Sequence, residues 1–593
     1  MNTKSLNTQS FILLIIMLSL WTCSATVVLA DTQPIQEPPQ GDAITLIVLG
    51  QVVTTQRQAI ADAEISLLIG GERQELIAPN GDQVEAIPSE VDGLFRLVVQ
   101  VPPETAEAII SGRRPVALEI EAHAFRRTRV GVPARLVAHG SDHLYADVGR
   151  IALPRIFHAA FFLTIGVFLV TFAAISFRWL HETLAAMVGA TTLLAVTYLA
   201  GMRWPDWYIL EFEQAIHHID FEVIFLILAL MIFVAIAGST GVFQWMAYAA
   251  YRASRGNAWA LSAILIVLTA GTSAFLNNVT IMLLIAPVSV EIALMMNMNP
   301  LALLIPETLA SNIGGTATLI GDPPNTLIGS YARIGFAPFL TNLGPIVALS
   351  TIAFILMTWF IYRSEYGGSS TRVRSAQLEA HVAEAARIRQ PDVLRKTGVM
   401  AAITLILFFL GDVWSMPPAV AALIGAVGLM VWVRPRIHDM IQEVDWTTLL
   451  FFMSLFIIVG ALQDVGAIQL VAETIGAIAG DNLSTAILLV LWVPAVGSAI
   501  TENIPFAAAM LPVAAYLTQS IPGADNDVLY WALALGTCLG GNATTIGAAA
   551  NIVTAGIAER AGYSLPFKNF VKVGAPVTVV ILLLCSAYLL IRY

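Results

Sequence analysis

The chain has 593 residues, 57% hydrophobic and only 12% charged, with a mean hydropathy of +0.77. Ordinary soluble proteins carry about 25% charged residues, so the composition excludes a soluble globular protein and specifies a polytopic membrane protein. The net charge of −11 is uneven: residues 31–150 hold 17 acidic and 10 basic side chains, and no basic patch for a nucleic-acid partner is in view.

The first 30 residues read as a secretory signal peptide (1–30). Lys4 is the positive start, Phe11–Leu20 the apolar region and Val28-Leu29-Ala30 a cleavage site. A retained anchor helix is the competing reading. A lipoprotein site at Cys23 is weaker, because Trp21 stands where small residues are expected. The other two cysteines, Cys538 and Cys585, lie in apolar segments, so neither a disulfide framework nor a cysteine metal site is available.

Residues 41–150 read as a separate β-sandwich domain. Short alternating runs (43–53, 63–69, 94–101, 116–123 and 144–151) are punctuated by Gly71, Asn80-Gly81 and Asp92-Gly93. The series GQVV, ADAEISLLIGG, VDGLFRLVV and EIEAHAF resembles carboxypeptidase-regulatory-like domains, which serve as spacers or docking modules. No catalytic constellation appears in it.

From residue 155 the apolar segments reach the length of about 20 residues that a membrane-crossing helix needs. Ten spans are expected: 156–177, 180–201, 221–240, 301–332 and 338–362 in a first repeat (155–362), then 394–411, 417–433, 446–465, 529–560 and 572–591 in a second (394–593). A basic cytoplasmic linker (363–393) joins them. Between the third and fourth span of each set lies a longer segment, 259–291 or 484–520, with polar residues at its middle. A re-entrant hairpin suits such a segment, since non-helical backbone at membrane depth persists only inside protein or beside water. Two ordinary spans joined by a polar loop are the alternative.

The two sets share motifs. SAFLNNVTIMLLIAPV (Ser273–Val288) recurs as SAITENIPFAAAMLPV (Ser498–Val513), with Asn278 matched by Asn503. NIGGTATLIGDPPN (Asn312–Asn325) recurs within CLGGNATTIGAAAN (Cys538–Asn551), with Gly314 matched by Gly540 at almost the same offset. Interrupted apolar segments at matching places in two halves point to a transporter site. Orientation follows from charge. With the β domain outside, 15 basic residues fall on inner loops and four outside (Arg155, Arg203, Arg333 and Arg592), as the positive-inside rule requires. Five spans per half, an odd number, make the repeat inverted.

The candidate site residues are Ser273, Asn277, Asn278, Asn312, Gly314, Gly315, Thr316, Asp322 and Asn325 in the first half. In the second they are Ser498, Glu502, Asn503, Gly540, Gly541, Asn542 and Asn551. The glycine pairs let a helix open and Pro323-Pro324 cannot continue it. Opened turns and Asn amides offer oxygens to a sodium ion, with Asn278 and Asn503 as its candidate ligands, while helix N-termini suit an anion. Asp322 and Glu502 are the carboxylates inside the motifs, and a carboxylate within a membrane is a functional candidate by default. Glu291 and Glu307 are less secure, since either suits an interface. His181-Glu182 lacks the second His of a zinc helix, and no P-loop, GxSxG or CxxC occurs.

These motifs, with the run LGTCLGGNATTIGAAANIVTAGIAERAGY, closely resemble the ion transporter superfamily. It groups arsenite permeases, NhaD-type sodium/proton antiporters, citrate-type transporters and the pink-eyed dilution (P) proteins, and the look is nearest to the P-protein branch and its bacterial relatives. The resemblance covers about 155–593. It implies ten or eleven spans with two hairpins, a homodimer, and elevator-like movement. The superfamily's usual hairpin tip is Asp-Asn in both halves. Here the tips are Asn277-Asn278 and Glu502-Asn503, a departure from the pattern on which antiporter-type proton coupling rests. The DPP of the first half is replaced by Ala548-Ala549-Ala550 in the second.

The expected protein is therefore an all-α polytopic unit of two inverted repeats, each with five spans and a re-entrant hairpin, carrying an extracytoplasmic β domain on a bacterial cytoplasmic membrane. Its expected function is secondary active transport of a small inorganic or organic ion, either an anion or a cation exchanged for protons. Sodium or a proton would be the coupling ion, with no other cofactor, no enzyme activity and no nucleic-acid partner. An anion channel, or a receptor with a sensing β domain, is the alternative.

Overall fold

A computed structural model describes residues 44–54, 60, 63–78, 82–90, 93–122, 125–132, 137–138, 143–153, 157–368, 384, 386–480 and 482–593. The signal-peptide reading, and most of the linker, lie outside the described residues. The chain divides into two compact units between residues 155 and 156.

The first unit is built of strands. β1 (Ile44–Thr54), β2 (Glu64–Ile69), the short β3 (Glu72–Arg73), β4 (Leu76–Ile77), β5 (Gln83–Val84) and β6 (Ile87–Pro88), and β7 (Leu94–Val101) precede a helix, α1 (Pro103–Ile110). β8 (Val116–Glu121), β9 (Thr128–Gly131), β10 (Val137–Ala138) and β11 (His143–Leu153) follow it. One sheet has the order β10-β11-β1-β7, a second β3-β2-β8-β9 with β6 on β2, and β4 and β5 pair as a two-stranded third. Alternation along the strands sends Leu46, Val48, Leu97 and Val99 from one sheet, and Ile65, Leu67, Leu118 and Ile120 from the other, into one shared core. β1 pairs antiparallel with β7 but parallel with β11, with a bulge at Leu49–Gln51. Helix α1 and strand β9 are additions to the expected runs. Glu119 is buried and accepts from Arg73 Nη2 (2.8 Å), Arg127 Nη2 (2.6 Å) and Arg129 Nε (2.7 Å). Those three guanidinium groups hold its carboxyl down at about 2, far below the ordinary carboxylate range.

The second unit is helical. Its first half comprises α2 (Ala159–Ser176), α3 (Glu182–Val196), α4 (Phe212–His217), α5 (Phe221–Ser239), α6 (Val242–Ser254), α7 (Ala258–Ser273), α8 (Asn278–Met295), α9 (Leu301–Gly315), α10 (Pro323–Ala332) and α11 (Phe336–Gly368). The second comprises α12 (Pro391–Trp414), α13 (Pro418–Val433), α14 (Ile437–Glu443), α15 (Trp446–Asp464), α16 (Ala467–Ala479), α17 (Leu483–Ile500), α18 (Asn503–Ser520), α19 (Val528–Gly540), α20 (Ala549–Arg560) and α21 (Phe567–Arg592). Among the described residues, nine of these helices are long and apolar enough to cross a membrane. The protein is a polytopic membrane protein.

Local signals repeat between the halves. Asp220 caps α5 by accepting from Glu222 N and Val223 N, and Asp445, at the matching place in the second half, caps α15 by accepting from Thr448 N. Asn257 and Asn482, a second matched pair, cap α7 and α17 through Ala260 N and Thr485 N, both at 3.0 Å. Such caps satisfy N–H groups that the first turn leaves without partners. Gly241 and Gly466 adopt positive φ (81° and 78°) ahead of α6 and α16. These two amphipathic helices, with buried Phe243, Ala247 and Tyr251 on one and Ala467, Ile468 and Ala472 on the other, are elements the hydropathy reading did not separate.

The segments at 259–291 and 484–520 are each two helices joined at a short tip: α7–α8 and α17–α18. The spans expected at 301–332 and 529–560 are each broken, as α9–α10 and α19–α20. Close backbone approach sets the packing. A Cβ on Gly314 would lie 2.1 Å from Ala270 O, and one on Gly540 would lie 2.4 Å from Ala495 O, so α9 rides on α7 as α19 rides on α17. The halves also interlock, with α8 packed on α20 and α10 on α18.

Gly314→Ala should lower stability by about 3 kcal/mol, since only backbone could yield and overpacking costs about that much. Gly271→Ala on α7, with nothing within 4 Å of its would-be Cβ, should be neutral or stabilising by up to about 1 kcal/mol. Unfolding of the purified variants in detergent measures both; equal effects would contradict the close-approach account.

Candidate functional site

The tips of α7–α8 and α17–α18 meet the two helix breaks on one buried polar cluster. Asp322 is the N-cap residue of α10, with Pro323 and Pro324 filling the first turn, where a missing N–H costs nothing. Its side chain is 1% exposed. Asn278, at the start of α8, donates from Nδ2 to Asp322 Oδ1 at 3.3 Å. Asn503, at the start of α18, donates from Nδ2 to Asp322 Oδ2 at 3.1 Å. One carboxylate is thereby held by an amide from each half, although Asn503 stands far along the chain from Asp322.

The amides continue across the interface. Asn278 Nδ2 also lies 2.9 Å from Asn312 Oδ1. Asn312 Nδ2 donates in turn to Asn542 Oδ1 (2.8 Å) and Asn551 Oδ1 (3.0 Å). Asn542 Nδ2 reaches Leu309 O at 3.3 Å. Six of the sequence-selected residues, Asn278, Asn312, Asp322, Asn503, Asn542 and Asn551, thus form one connected network, all at most 4% exposed.

The remaining selected residues hold the breaks and tips in shape. Asn325 Nδ2 donates to Thr316 O (3.1 Å) and Thr318 O (2.8 Å), while Asn551 Nδ2 donates to Gly541 O and Thr544 O, both at 2.8 Å. The hydroxyl of Thr318 donates to Ala274 O, and that of Thr544 to Ala499 O at 2.7 Å, fastening each break to the adjoining tip. Thr316 Oγ1 donates to Asn312 O at 2.9 Å. Gly315 and Gly541 pass so close to Gly321 and Gly547 that Cβ atoms there would lie 3.0 and 2.5 Å from carbonyl oxygens. Ser498 Oγ donates to Thr537 O at 2.7 Å, whereas Ser273 Oγ is buried with no hydrogen-bond partner. Asn277 stays outside the network: it caps α8 by accepting from Val279 N at 2.9 Å and is half-buried.

A cavity of about 1060 Å³ leads to the tips. Asn277 and Glu502 line it from the two tips, and Arg178, His181, Glu182, Asp439, Glu443 and Asp445 line it elsewhere. The lining therefore carries five carboxylates against one arginine. Glu182, at the start of α3, lines the same cavity as Glu502. Sequence reasoning set His181-Glu182 aside because it tested that pair only against a zinc pattern; its place opposite the tip had no local signal.

A helical membrane unit whose two tips and two broken helices converge on one carboxylate has the form of a transporter. The chain belongs to the citrate transporter family, whose sequence signature matches residues 172–536. The chain is 36% identical over 432 residues to a 46 kDa membrane protein of Mycobacterium leprae, covering 73% of this chain and 98% of that one. It is 33% identical over 502 residues to the P protein of Homo sapiens, covering 71% of this chain and 59% of that one. Among solved structures, the Alcanivorax borkumensis YdaH transporter is similar at a TM-score of 0.47 and 15% identity, covering 69% of this chain and 98% of that one.

An amide at position 322 offers one acceptor where the carboxylate offers two. Asp322→Asn should leave Asn503 Nδ2 without its acceptor and cost about 2 kcal/mol, the worth of one buried unsatisfied donor. Thermal unfolding of purified Asp322→Asn beside the unaltered chain checks this; an unchanged transition would mean that the carboxylate does not hold the second tip.

Proposed function

We propose that the protein is a secondary active ion carrier and that the cluster around Asp322 is where its ion binds. The observation that carries this reading is the double hold on Asp322 by Asn278 and Asn503. A site built from both halves responds when either half shifts, which is what alternating access requires. The two halves act as inverted repeats, each with five spans and a re-entrant hairpin, and move in an elevator-like manner. The 15-to-4 distribution of basic residues supports this orientation, with the strand domain outside a bacterial cytoplasmic membrane and a homodimer as the assembly.

The cavity lining favours a cation as the first ion to arrive, because like-signed carboxylates raise the local concentration of counter-ions. Sodium or a proton suits Asp322, Glu502 and the amide oxygens of Asn278 and Asn503 once the tips turn toward it. No Lys or Arg lies within the four motifs. A small anion such as citrate or arsenite would therefore bind after the cation, through the neutralised Asp322, the amides and the helix N-termini. The cation is otherwise itself the substrate, exchanged for protons.

Proteoliposomes loaded with a panel of sodium, citrate and arsenite, with and without a sodium gradient and a pH step, test the reading. Saturable uptake that needs a gradient is the expected result. Asn278→Ala and Asn503→Ala should each abolish it, and Glu502→Gln should weaken the cation dependence roughly tenfold, equivalent to about 1.4 kcal/mol. Current that follows voltage without saturation would replace the carrier with a channel.

A further inference from the structure

Glu307 lies on α9, five residues before Asn312, and the cluster does not use it. Its side chain is 1% exposed. Oε1 accepts from Ser289 Oγ of α8 at 2.7 Å, and Oε2 has no hydrogen-bond partner. An ionised carboxylate buried with a single hydroxyl donor leaves its charge uncompensated, at a cost of several kcal/mol. A carboxylic acid is the less costly form in the same surroundings, with Oε1 as the carbonyl acceptor and Oε2 carrying the proton.

The elements packed against α9 supply no compensating charge at this point. α7 has no titratable side chain. α8 brings Ser289 and, shortly after it, Glu291, another acid. α11 carries Tyr362, Arg363, Glu365 and Tyr366; Arg363 and Glu365 are exposed, and the Tyr366 hydroxyl donates to Ser262 Oγ (2.9 Å) and Ala302 O (3.1 Å). α19 carries Tyr530 and Cys538, and α20 carries Glu559 and Arg560 only in its last two positions. Among the described residues, the Ser289 hydroxyl is the hydrogen-bond partner of the Glu307 carboxyl group.

Packing does not call for an acid here. The matching position of the second half, in the register that pairs Gly314 with Gly540, is Leu533, fully buried on α19. The first half places a carboxyl where the second places a leucine, in helices that otherwise pack alike. The Ser289–Glu307 bond also joins α8, which begins at Asn278, to α9, which carries Asn312. The protonation state of Glu307 thus bears on the two helices that hold one side of the Asp322 cluster.

We propose that Glu307 is a proton-binding site of the transport cycle, neutral in the conformation described here and ionised when α8 and α9 part and admit water. On release the O–H bond at Oε2 breaks, the electron pair stays on the carboxylate and the proton passes to water; uptake reverses this. The proposal rests on the carrier reading and adds a proton site outside the ion cluster.

Infrared titration of the purified full chain tests it without any substrate. The unaltered protein should show a protonated-carboxyl absorption that disappears as pH rises, and this band should be missing from Glu307→Gln and from Glu307→Leu, the residue that the second half already accommodates. The same band in the unaltered chain and in either folded variant would overturn the proposal. In proteoliposomes with a trapped pH dye and labelled sodium, citrate or arsenite as probes, Glu307→Gln should keep saturable uptake and lose the accompanying pH change, with Glu307→Asp restoring part of it. Uptake by Glu307→Gln with an unchanged proton movement per ion would also overturn it. Absence of saturable uptake of every probe by the unaltered chain would instead sink the carrier reading, leaving the infrared band to decide on Glu307.

Discussion

The rest of the helical unit is arranged around one buried carboxyl group. Asp322 sits among apolar spans with its two oxygens shared between Asn278 of one tip and Asn503 of the other. A carboxylate in such surroundings persists only where hydrogen bonds replace its water, so both tips must arrive for the site to be stable. Their arrival needs backbones to approach more closely than side chains allow, and Gly314, Gly321, Gly540 and Gly547 provide that room. The helix breaks need their own carbonyls satisfied, and the amides of Asn325 and Asn551 satisfy them. The candidate ion site and the folded core are therefore the same network. Freeing either tip removes one of the two amides that hold the carboxyl group.

Duplication supplies the frame and asymmetry supplies the chemistry. Matching caps, glycines and break-holding asparagines recur in the second half at a nearly fixed offset. Several polar positions do not match: Asp322 stands against Ala548, Asn277 against Glu502, Asn312 against Cys538 and Glu307 against Leu533. Even so, the Cys538 thiol donates to Asn325 Oδ1 at 3.4 Å, just as Asn312 Nδ2 donates to Asn551 Oδ1. The geometry of the contact survives while its polarity changes. One half thus carries the buried acids Asp322 and Glu307, and the other presents an acid, Glu502, to the cavity.

Much of this architecture is legible in the sequence, for physical reasons that can be named. Apolar runs between turn residues mark β1, β2, β7, β8 and β11 to within a few residues, with one face buried in β7 and both faces largely buried in β2 and β8. Spans announce themselves by apolar length, and the site by asparagines and glycines that apolar helices do not need. Helices α6 and α16 stay hidden because each has only 13 residues, too few for a span, and polar residues interrupt the apolar stripe of α6; the paired Gly241 and Gly466 were the available signal. The bond from Asn503 to Asp322 is invisible because it joins residues far apart in the chain. The glycine pairs suggest an open helix, but a sequence cannot tell that a carbonyl oxygen would stand 2.1 Å from a Cβ at Gly314.

Hydrogen exchange at the two tips of the Asp322→Ala variant tests the shared hold most directly. Loss of the carboxylate should release both at once, so the backbone amides at the start of α8 and at the start of α18 should lose protection together, although no residue near either tip in sequence has changed. Faster exchange confined to the segment around residue 322, with both tips as protected as in the unaltered chain, would contradict the claim that Asp322 joins the two halves.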